Sequence, residues 1–207
     1  MAEGQENFIG STVTSTRVRL ARNLEGYPFP DKLSPAQARE IVRSCGKALS
    51  RLDDFKEYDI GSIPADEATY LLERHLISRD LIRRKNISSA FISSDGEVSV
   101  MVNEEDHLRE QYILRGCDLY KAYERISGID EGLGGEMKFA FDEKHGFLTA
   151  CPSNVDTGMR ASVMMFLPGL SKYGKLEELL PSLKSNGLTV RGEFGEGTAA
   201  EGYSYQI

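Results

Sequence analysis

The sequence predicts an α+β fold in which an antiparallel or mixed β-sheet is flanked by helices. Two segments have the pattern of a β-hairpin, several other segments have helical spacing of apolar residues, and the regular strand–helix–strand alternation of a parallel sheet is missing. The chain has 207 residues, 40% of them apolar, which suffices for one large domain or two small ones. With no repeat and no long linker, we expect a single domain over residues 1–207.

Four segments are predicted to be helical. Ser34, Pro35 and Gln37 form the pattern of an N-cap, a proline at the first helical position and a capping-box partner. Apolar residues then recur at helical spacing. The predicted helices cover residues 35–52, 64–75, 118–127 and 175–186, and Gly187 is expected to end the last one.

The predicted strands are grouped mainly in two hairpins. Asp95 and Gly96 lie between two alternating segments, a pattern typical of a hairpin with a type I′ turn. Its second strand is expected to end at Asn103, directly before three consecutive acids. The other hairpin is expected to pair residues 137–141 with 147–151, and residues 188–192 and 203–207 are predicted to form short strands.

Composition excludes several classes of function. The net charge of −7 argues against nonspecific nucleic-acid binding, which needs a basic surface. The three cysteines have no CxxC spacing, so neither a disulfide framework nor a zinc site is predicted. We find no secretory signal pattern and no apolar run long enough for a membrane span. These observations favour a cytoplasmic protein that binds no nucleic acid and no membrane.

Arginines in four short blocks contrast with the acidic composition of the chain. They are Arg17 and Arg19 in STRVR, Arg109 in NEEDHLR, Arg160 in GMRASV and Arg191 in RGEFGE. In an extended strand, residues two apart share one face, so the first two guanidinium groups suit phosphate oxygens. The alternative for that pair is a solvated basic edge strand.

Other residues in or near these blocks suggest acid–base and nucleophilic chemistry. Glu104 and Glu105 point opposite ways in an extended segment, so one can face a metal-bound water and the other a substrate cation; the alternative is a charged turn. No second histidine has ligand spacing relative to His107, which favours a structural role for it. Cys151 lies near positive charge, which favours a thiolate; the alternative is an inert buried cysteine. Glycines around Arg191 allow a loop to close over a ligand.

Taken together, these blocks resemble the ATP:guanido phosphotransferase family, the phosphagen kinases. STRVR, NEEDHLR, CPSN, RASV and RGEFGEG follow one another in the family's order and spacing, from about residue 9 to the C-terminal end. The segments RHLIS, VSVMVNEEDHLR, FAFDEKHGFLTACPSNV and RASVMMFLPGL look like the versions found in bacterial protein-arginine kinases. The resemblance implies the fold of the guanido kinase catalytic domain, which is glutamine synthetase/guanido kinase-like.

The resemblance also implies an activity and the residues that perform it. It implies a kinase that uses ATP and Mg²⁺ to phosphorylate the guanidinium of arginine residues in proteins. Glu105 and Glu196 would hold the substrate guanidinium, Cys151 would contact it, and Glu104 would orient Mg²⁺ through water, with no direct metal ligand. The implied ATP-binding residues are Ser15, Thr16, Arg17, Val18, Arg19, His75, Arg109, Arg160, Ala161, Ser162, Val163, Met164, Arg191, Gly192, Glu193, Phe194, Gly195 and Glu196. Without the resemblance, His75 would be read as a histidine on a helix surface.

The sequence departs from the family pattern in three respects. Asp156 stands where the family usually has glycine, and residues 198–207 lack the family's acidic and asparagine-bearing version of that stretch. We also expect the chain to be shorter than its relatives at both ends, without an N-terminal helical domain and with a truncated C-terminal part. Arginine-containing proteins are therefore the expected substrates, and a homodimer remains open. The alternatives are a kinase for free arginine or another guanidino metabolite, or a low-activity module that binds nucleotide or a partner.

Overall fold

A computed structural model describes residues 12–192 and 201–207 of the chain. The helices are α1 (Pro35–Leu49), α2 (Ala65–Glu73), α3 (Arg79–Arg83), α4 (Leu119–Glu136), α5 (Pro168–Lys172) and α6 (Lys175–Ser185), and short 3-10 turns lie at Pro30–Lys32, Pro152–Asn154 and Glu201–Tyr203. The strands are β1 (Val13–Arg22), β2 (Phe55–Asp59), β3 (Ser89–Ser93), β4 (Val98–Val102), β5 (Leu108–Arg115), β6 (Phe141–Asp142), β7 (Gly146–Phe147), β8 (Met159–Phe166), β9 (Arg191–Gly192) and β10 (Ser204–Gln206).

Eight strands form one sheet in the order β2-β3-β4-β5-β1-β8-β10-β9, and β6 pairs with β7 separately. Strands β2 to β5 are joined by antiparallel pairs, and β10 is antiparallel to both β8 and β9. Every residue of β3 and β4 is buried, because helices cover both faces of these strands. The predicted fold class, an antiparallel or mixed sheet flanked by helices, is confirmed.

The two faces of β3 and β4 pack against different helices. On one face, α1 approaches so closely that a Cβ at Gly46 would lie 3.0 Å from the Phe91 ring. On the other face, Ala90, Ile92 and Met101 form a core cluster with side chains from α2, α3 and their connections; the further buried members are Ile60, Leu71, Leu76, Ile77 and Leu81. Burial on both sides explains why β4 is an almost continuous apolar run.

Helix α1 begins as predicted and ends slightly earlier. The N–H of Gln37 bonds to Ser34 Oγ, and the N–H of Ser34 bonds to Gln37 Oε1 at 3.0 Å, which completes the capping box. The helix ends at Leu49, not at residue 52, because the chain tightens into a turn in which the N–H of Leu52 bonds to Leu49 O at 2.9 Å. Leu52 instead packs against Gly132 of α4.

Helix α4 extends nine residues beyond its predicted end at residue 127. Four glycines in residues 128–136 lower the helix propensity by roughly 1 kcal/mol each, so the sequence pattern suggested a stop. Ile126, Ile129 and Leu133 are nonetheless buried at helical spacing, and each buried side chain contributes about 1.5–3 kcal/mol. Tertiary burial therefore outweighs local propensity here.

Both predicted hairpins are present, but their details differ from the predictions. A type I′ turn at Asp95 and Gly96 needs positive φ at both residues, whereas Gly96 has φ +70° and Asp95 is not among the residues with positive φ. Asp95 instead accepts the N–H of Glu97 at 2.9 Å within a longer loop, so the predicted turn type is wrong. The second hairpin pairs only two residues on each side, fewer than the five expected.

The remaining predicted elements agree with the structure within a few residues. Helix α2 starts after Pro64, and α6 is followed by Gly187 at φ +77°. The strands predicted at 188–192 and 203–207 are observed as the shorter β9 and β10. Within the described ranges, no helix is both long enough and apolar enough to cross a membrane.

The backbone divides into two compact units. The first comprises Met1–Arg17, Ile113–Ala122 and Ala161–Ile207, so far as these ranges are described, and the second comprises Val18–Tyr112 and Tyr123–Arg160. The expectation of one domain over residues 1–207 stays a prediction. The candidate residues Glu104, Glu105, Arg109, Cys151 and Arg160 belong to the second unit.

Candidate active site

The acidic segment after β4 is a tight loop. Asn103 adopts φ +60°, a left-handed conformation that asparagine tolerates better than most residues. Its backbone N–H bonds to His107 O at 2.8 Å, and its side-chain amide donates to Ala38 O and Ile87 O at 3.2 and 2.8 Å. The loop is therefore closed on itself and tied to α1, which fixes the three carboxylates that it carries.

Glu104 points into the protein. Its side chain is 3% exposed, and both carboxylate oxygens accept hydrogen bonds from Arg109 Nη1, at 2.7 and 2.9 Å. The hydroxyl of Ser78 also donates to this carboxylate. Burial alone would raise the pKa of Glu104, but the Arg109 charge and the hydrogen bonds from Ser78 and Arg109 lower the pKa below its ordinary value. Glu104 is thus held as a buried anion.

Glu105 lies on the opposite side of the loop and is exposed as a residue. Its carboxyl group is partly buried, and this burial, with the negative charges of Asp106 and Glu104, raises its pKa above the ordinary value. The charges of Arg109 and Arg160 act in the opposite direction. Two adjacent glutamates therefore differ in environment: one is a fixed buried anion, and the other is an accessible group with a greater tendency to bind a proton.

Asp106 connects the loop to the segment that precedes Cys151. Its Oδ1 accepts the side-chain amide of Asn23 at 2.5 Å and the backbone N–H of Ala150 at 2.7 Å. Asn23 also donates to Leu148 O at 3.0 Å, and its Oδ1 accepts the His107 N–H at 2.9 Å. Asp106 and Asn23 are both buried, so this polar network holds the acidic loop and the Cys151 segment in fixed relation.

His107 has the structural role that the sequence favoured. The backbone N–H of Leu24 donates to its Nδ1 at 3.0 Å, so Nδ1 carries no proton. Nε2 lies 2.9 Å from Pro28 O, which can only accept, so Nε2 carries the proton. The ring is fully buried, and burial lowers its pKa. His107 is a neutral imidazole with both nitrogens bonded, which leaves neither for a metal.

Cys151 is linked to Arg160 through Ser153. Arg160 Nη2 donates to Ser153 Oγ, and Ser153 Oγ lies 3.0 Å from Cys151 Sγ. Because the guanidinium can only donate, Ser153 accepts from it and has its own proton available for the sulfur. Cys151 is a free thiol and is partly exposed. This exposure does not fit the alternative prediction of an inert, buried cysteine.

Asp156, the departure from the family pattern, lies close in sequence to this group. Its φ is +92°, in the region that favours glycine. Its carbonyl oxygen accepts the N–H of Phe147 at 2.7 Å, and a Cβ at Gly146 would collide with its backbone. The backbone here needs a glycine-like conformation at residue 156.

Strand β1 carries the predicted arginine pair. Ser15, Arg17 and Arg19 alternate with the buried Thr16 and Val18, so the two arginines share the less buried face. In the sheet, β1 lies between β5 and β8, which excludes the alternative of a basic edge strand. The Thr16 hydroxyl is already used: it donates to Gly116 O at 2.6 Å and accepts the N–H of Asp118 at 3.1 Å.

The other predicted ATP-binding residues lie on three further segments. His75 follows α2 with φ +57° and is partly exposed, so it lies at the end of the helix, not on its surface. Ala161, Ser162, Val163 and Met164 are on β8, and Arg191 and Gly192 form β9. Glu193, Phe194, Gly195 and Glu196 lie outside the described residues, and their predicted roles stay predictions.

Sequence reasoning did not single out Ser78, Asp106, Asn23 or Ser153. Each lies in or beside a block that was noted for other residues, and Asp106 is the third acid of the EED run. They matter because of their hydrogen bonds, which join them mostly to residues distant in sequence. The order of residue types along the chain does not reveal such bonds.

Comparison with known proteins connects this site to a family. A model of the ATP:guanido phosphotransferase C-terminal catalytic domain matches residues 37–207. The protein-arginine kinase of Clostridium acetobutylicum is 47% identical over 199 residues, which cover 94% of this chain and 58% of that protein. The protein-arginine kinase of Pelotomaculum thermopropionicum is 42% identical, covering 100% of this chain and 59% of that protein. The chain thus spans less than two thirds of the length of these relatives.

Solved structures show the same fold. The duplicated taurocyamine kinase from Schistosoma mansoni, with bound components of a transition state analog, matches 94% of this chain and 29% of its own chain, with a TM-score of 0.82 and 30% identity. Lombricine kinase matches 95% of this chain and 58% of its own, with a TM-score of 0.79 and 26% identity. The resemblance seen in the five sequence blocks is confirmed, and the chain belongs to the ATP:guanido phosphotransferase family.

Proposed function

We propose that this chain transfers the γ-phosphoryl group of ATP to the guanidinium of arginine residues in proteins. The observation that carries the proposal is the pair of adjacent glutamates with different environments, beside the charges of Arg109 and Arg160. The 47% identity to a protein of Clostridium acetobutylicum that is named a protein-arginine kinase supports the choice of acceptor.

The acceptor chemistry requires a base at this place. An arginine guanidinium has a pKa above about 12 and is a poor nucleophile as a cation. An accessible carboxylate can align it by paired hydrogen bonds and take a proton as the phosphoryl group arrives. Glu105 is exposed and its raised pKa makes it a stronger base than an ordinary glutamate. We assign this role to Glu105 and, together with it, to Glu196.

The phosphoryl donor requires positive charge and fixed geometry. The transferring group carries negative charge on its oxygens, and the protein contributes mainly positioning and electrostatic stabilisation. We assign the phosphates to Arg17, Arg19, Arg109, Arg160 and Arg191. In the second unit, Arg160 is held by Ser153 and Arg109 by Glu104, so both side chains have a preset orientation.

Mg²⁺ fits this site through water. Mg²⁺ takes oxygen ligands, keeps several waters and is commonly held by substrate phosphates and one or two carboxylates. The Glu104 carboxylate is buried, anionic and already bonded by Arg109 and Ser78, which suits a carboxylate that orients a metal-bound water. In the part of the chain that the structure describes, no group of three or more His, Cys, Asp or Glu is placed to hold a metal. When bound, Mg²⁺ neutralises phosphate charge.

Two alternative functions have specific observations in their favour. Kinases of small guanidino compounds share the fold, as the taurocyamine and lombricine kinases show, so free arginine or a related metabolite is the second candidate acceptor. A low-activity module that binds nucleotide or a partner is favoured by Asp156.

We further propose a cytoplasmic location, because all three cysteines are free thiols.

One experiment separates these functions. The protein is incubated with Mg-ATP and either free arginine or an unfolded arginine-rich protein, and acid-labile phosphoarginine is measured by mass spectrometry. We expect product on the protein. Product on free arginine alone would support the metabolite kinase, and no product with either acceptor would support the binding module.

Variants connect the activity to the proposed residues. Glu105→Gln and Arg160→Ala should each reduce turnover by about a hundredfold or more, since each removes a group that acts on the reacting atoms. Glu143→Gln and Lys144→Ala are charge-matched controls at exposed positions and should keep wild-type rates. Near-native turnover by Glu105→Gln, with an unchanged unfolding midpoint, would contradict the assignment.

A further inference from the structure

Ser78 stands between helix α3 and the acidic loop. Its Oγ accepts the backbone N–H of Leu81 at 3.0 Å, which caps the N-terminus of α3. The same hydroxyl donates its one proton to Glu104 Oε1. A hydroxyl has one donor and two acceptor sites, so both bonds form at once, and neither competes with the other.

The bonds to Glu104 distinguish its two carboxylate oxygens. Oε1 accepts from both Ser78 and Arg109, whereas Oε2 accepts from Arg109 at 2.9 Å. The backbone N–H of Glu105 also bonds to this carboxylate. Ser78 is therefore one of three donors that together set the orientation of the carboxylate.

We propose that Ser78 is a positioning residue for Glu104, and that its hydroxyl holds Oε1 so that the carboxylate keeps the orientation in which it would accept a hydrogen bond from a Mg²⁺-bound water. This inference rests on the proposed function. The terminal torsion of a glutamate is broad and has little intrinsic preference, so the donors around the carboxylate set its rotation. Ser78 donates to one oxygen only and thereby limits this rotation.

The two roles of Ser78 are separable by substitution. Glycine at an N-cap costs only a few tenths of a kcal/mol relative to serine, so Ser78→Gly removes the bond to Glu104 while α3 stays capped at little cost. Ser78→Thr keeps a hydroxyl that can make both bonds. Ser34→Gly is the matched control, because Ser34 is also a serine N-cap, at the start of α1.

The primary measurement is binding, not turnover. Isothermal titration calorimetry with a non-hydrolysable ATP analogue, with and without Mg²⁺, gives the Mg²⁺-dependent gain in affinity. Loss of an outer-shell partner typically reduces metal affinity by about 10–100-fold. We expect Ser78→Gly to lower the Mg²⁺-dependent gain by about tenfold or more and to leave Mg²⁺-free binding unchanged. Ser78→Thr should restore the gain, and Ser34→Gly should not alter it.

Kinetics and unfolding complete the test. Ser78→Gly should raise the Mg²⁺ concentration for half-maximal rate and leave KM for the arginine acceptor unchanged, with an unfolding midpoint similar to that of Ser34→Gly. An unchanged Mg²⁺ response in Ser78→Gly, or an equal loss in Ser34→Gly, overturns the inference. A wild-type protein with no Mg²⁺-dependent nucleotide binding and no phosphoarginine product would instead refute the proposed function.

Discussion

Replacement of Asp156 by glycine should stabilise the protein. Asp156 has φ +92°, where side chains other than that of glycine are strained. The hydrogen bond from Phe147 N–H and the tight approach of Gly146 hold its backbone in place, so the torsion cannot relax. Its carboxylate is exposed, and the described residues offer it no hydrogen bond or ion pair. Asp156→Gly therefore removes strain and no side-chain interaction.

The magnitude follows from two opposing contributions. A residue in a disfavoured region of φ and ψ costs about 1–3 kcal/mol. Glycine loses more conformational entropy on folding, which costs roughly 0.5–1 kcal/mol. The difference predicts a stabilisation of about 1 kcal/mol for Asp156→Gly, or a rise in Tm of about 2–4 °C for a chain of this size.

Urea unfolding of a small variant set measures this effect and identifies its cause. Asp156→Ala removes the carboxylate but keeps the Cβ, so it should gain no stability from relief of strain. Asp156→Asn removes the charge and keeps a residue that tolerates positive φ. We expect a higher urea midpoint for Asp156→Gly than for either control. A gain in Asp156→Ala as large as that in Asp156→Gly would show that charge, not backbone strain, is responsible and would refute the reasoning.

Two further predictions concern buried groups of the second unit. Asp130→Asn should lower the free energy of unfolding by about 3 kcal/mol, because Arg22 is buried and loses the charged partner that it bonds at 2.8 and 2.9 Å. Asp80→Asn, in an exposed ion pair, should cost less than about 1 kcal/mol, and equal effects in urea unfolding would contradict this. Burial lowers the pKa of His107 in the folded protein, so as pH falls the unfolded state binds a proton at His107 first, at about pH 6.5. The contribution of the neutral ring to stability is therefore present above this pH and is lost as pH falls toward the folded-state pKa. The free energy of unfolding should therefore fall more between pH 7.5 and pH 5.5 for wild type than for His107→Gln. His145→Gln is the exposed control, and an equal fall for wild type and His107→Gln would disprove the linkage.

Features that depend on local pattern could be predicted from the sequence. The capping box at Ser34 and the end of β4 near Asn103 are local signals; the structure has the capping box, and β4 ends at Val102, one residue before Asn103. The structural role of His107 followed from the lack of a partner histidine at ligand spacing. The order of the arginine and glutamate blocks was sufficient to identify the family, because the motifs are short but numerous.

Features that depend on tertiary contacts could not be predicted in this way. Helix α4 continues past Ser127 because the buried Ile129 and Leu133 compensate for its glycines. The bonds from Ser78 to Glu104 and from the Ala150 N–H to Asp106 join residues 26 and 44 positions apart. The alternation of side chains between the two faces of β1 could be predicted from the sequence. The position of β1 between β5 and β8 could not, because strand order is decided by packing and not by local periodicity.

The different environments of Glu104 and Glu105 show how the loop, not the residue type, determines the chemistry. The two residues are identical and adjacent, so their intrinsic acidity is the same. The left-handed turn at Asn103 and the buried bonds of Asp106 and His107 fix the loop backbone. This backbone directs one carboxylate toward the partly buried Arg109 guanidinium, which favours the anion. It leaves the next carboxylate partly buried and beside like charges, which favours the proton. A change that loosens the loop should therefore bring the two pKa values closer together before it unfolds the protein.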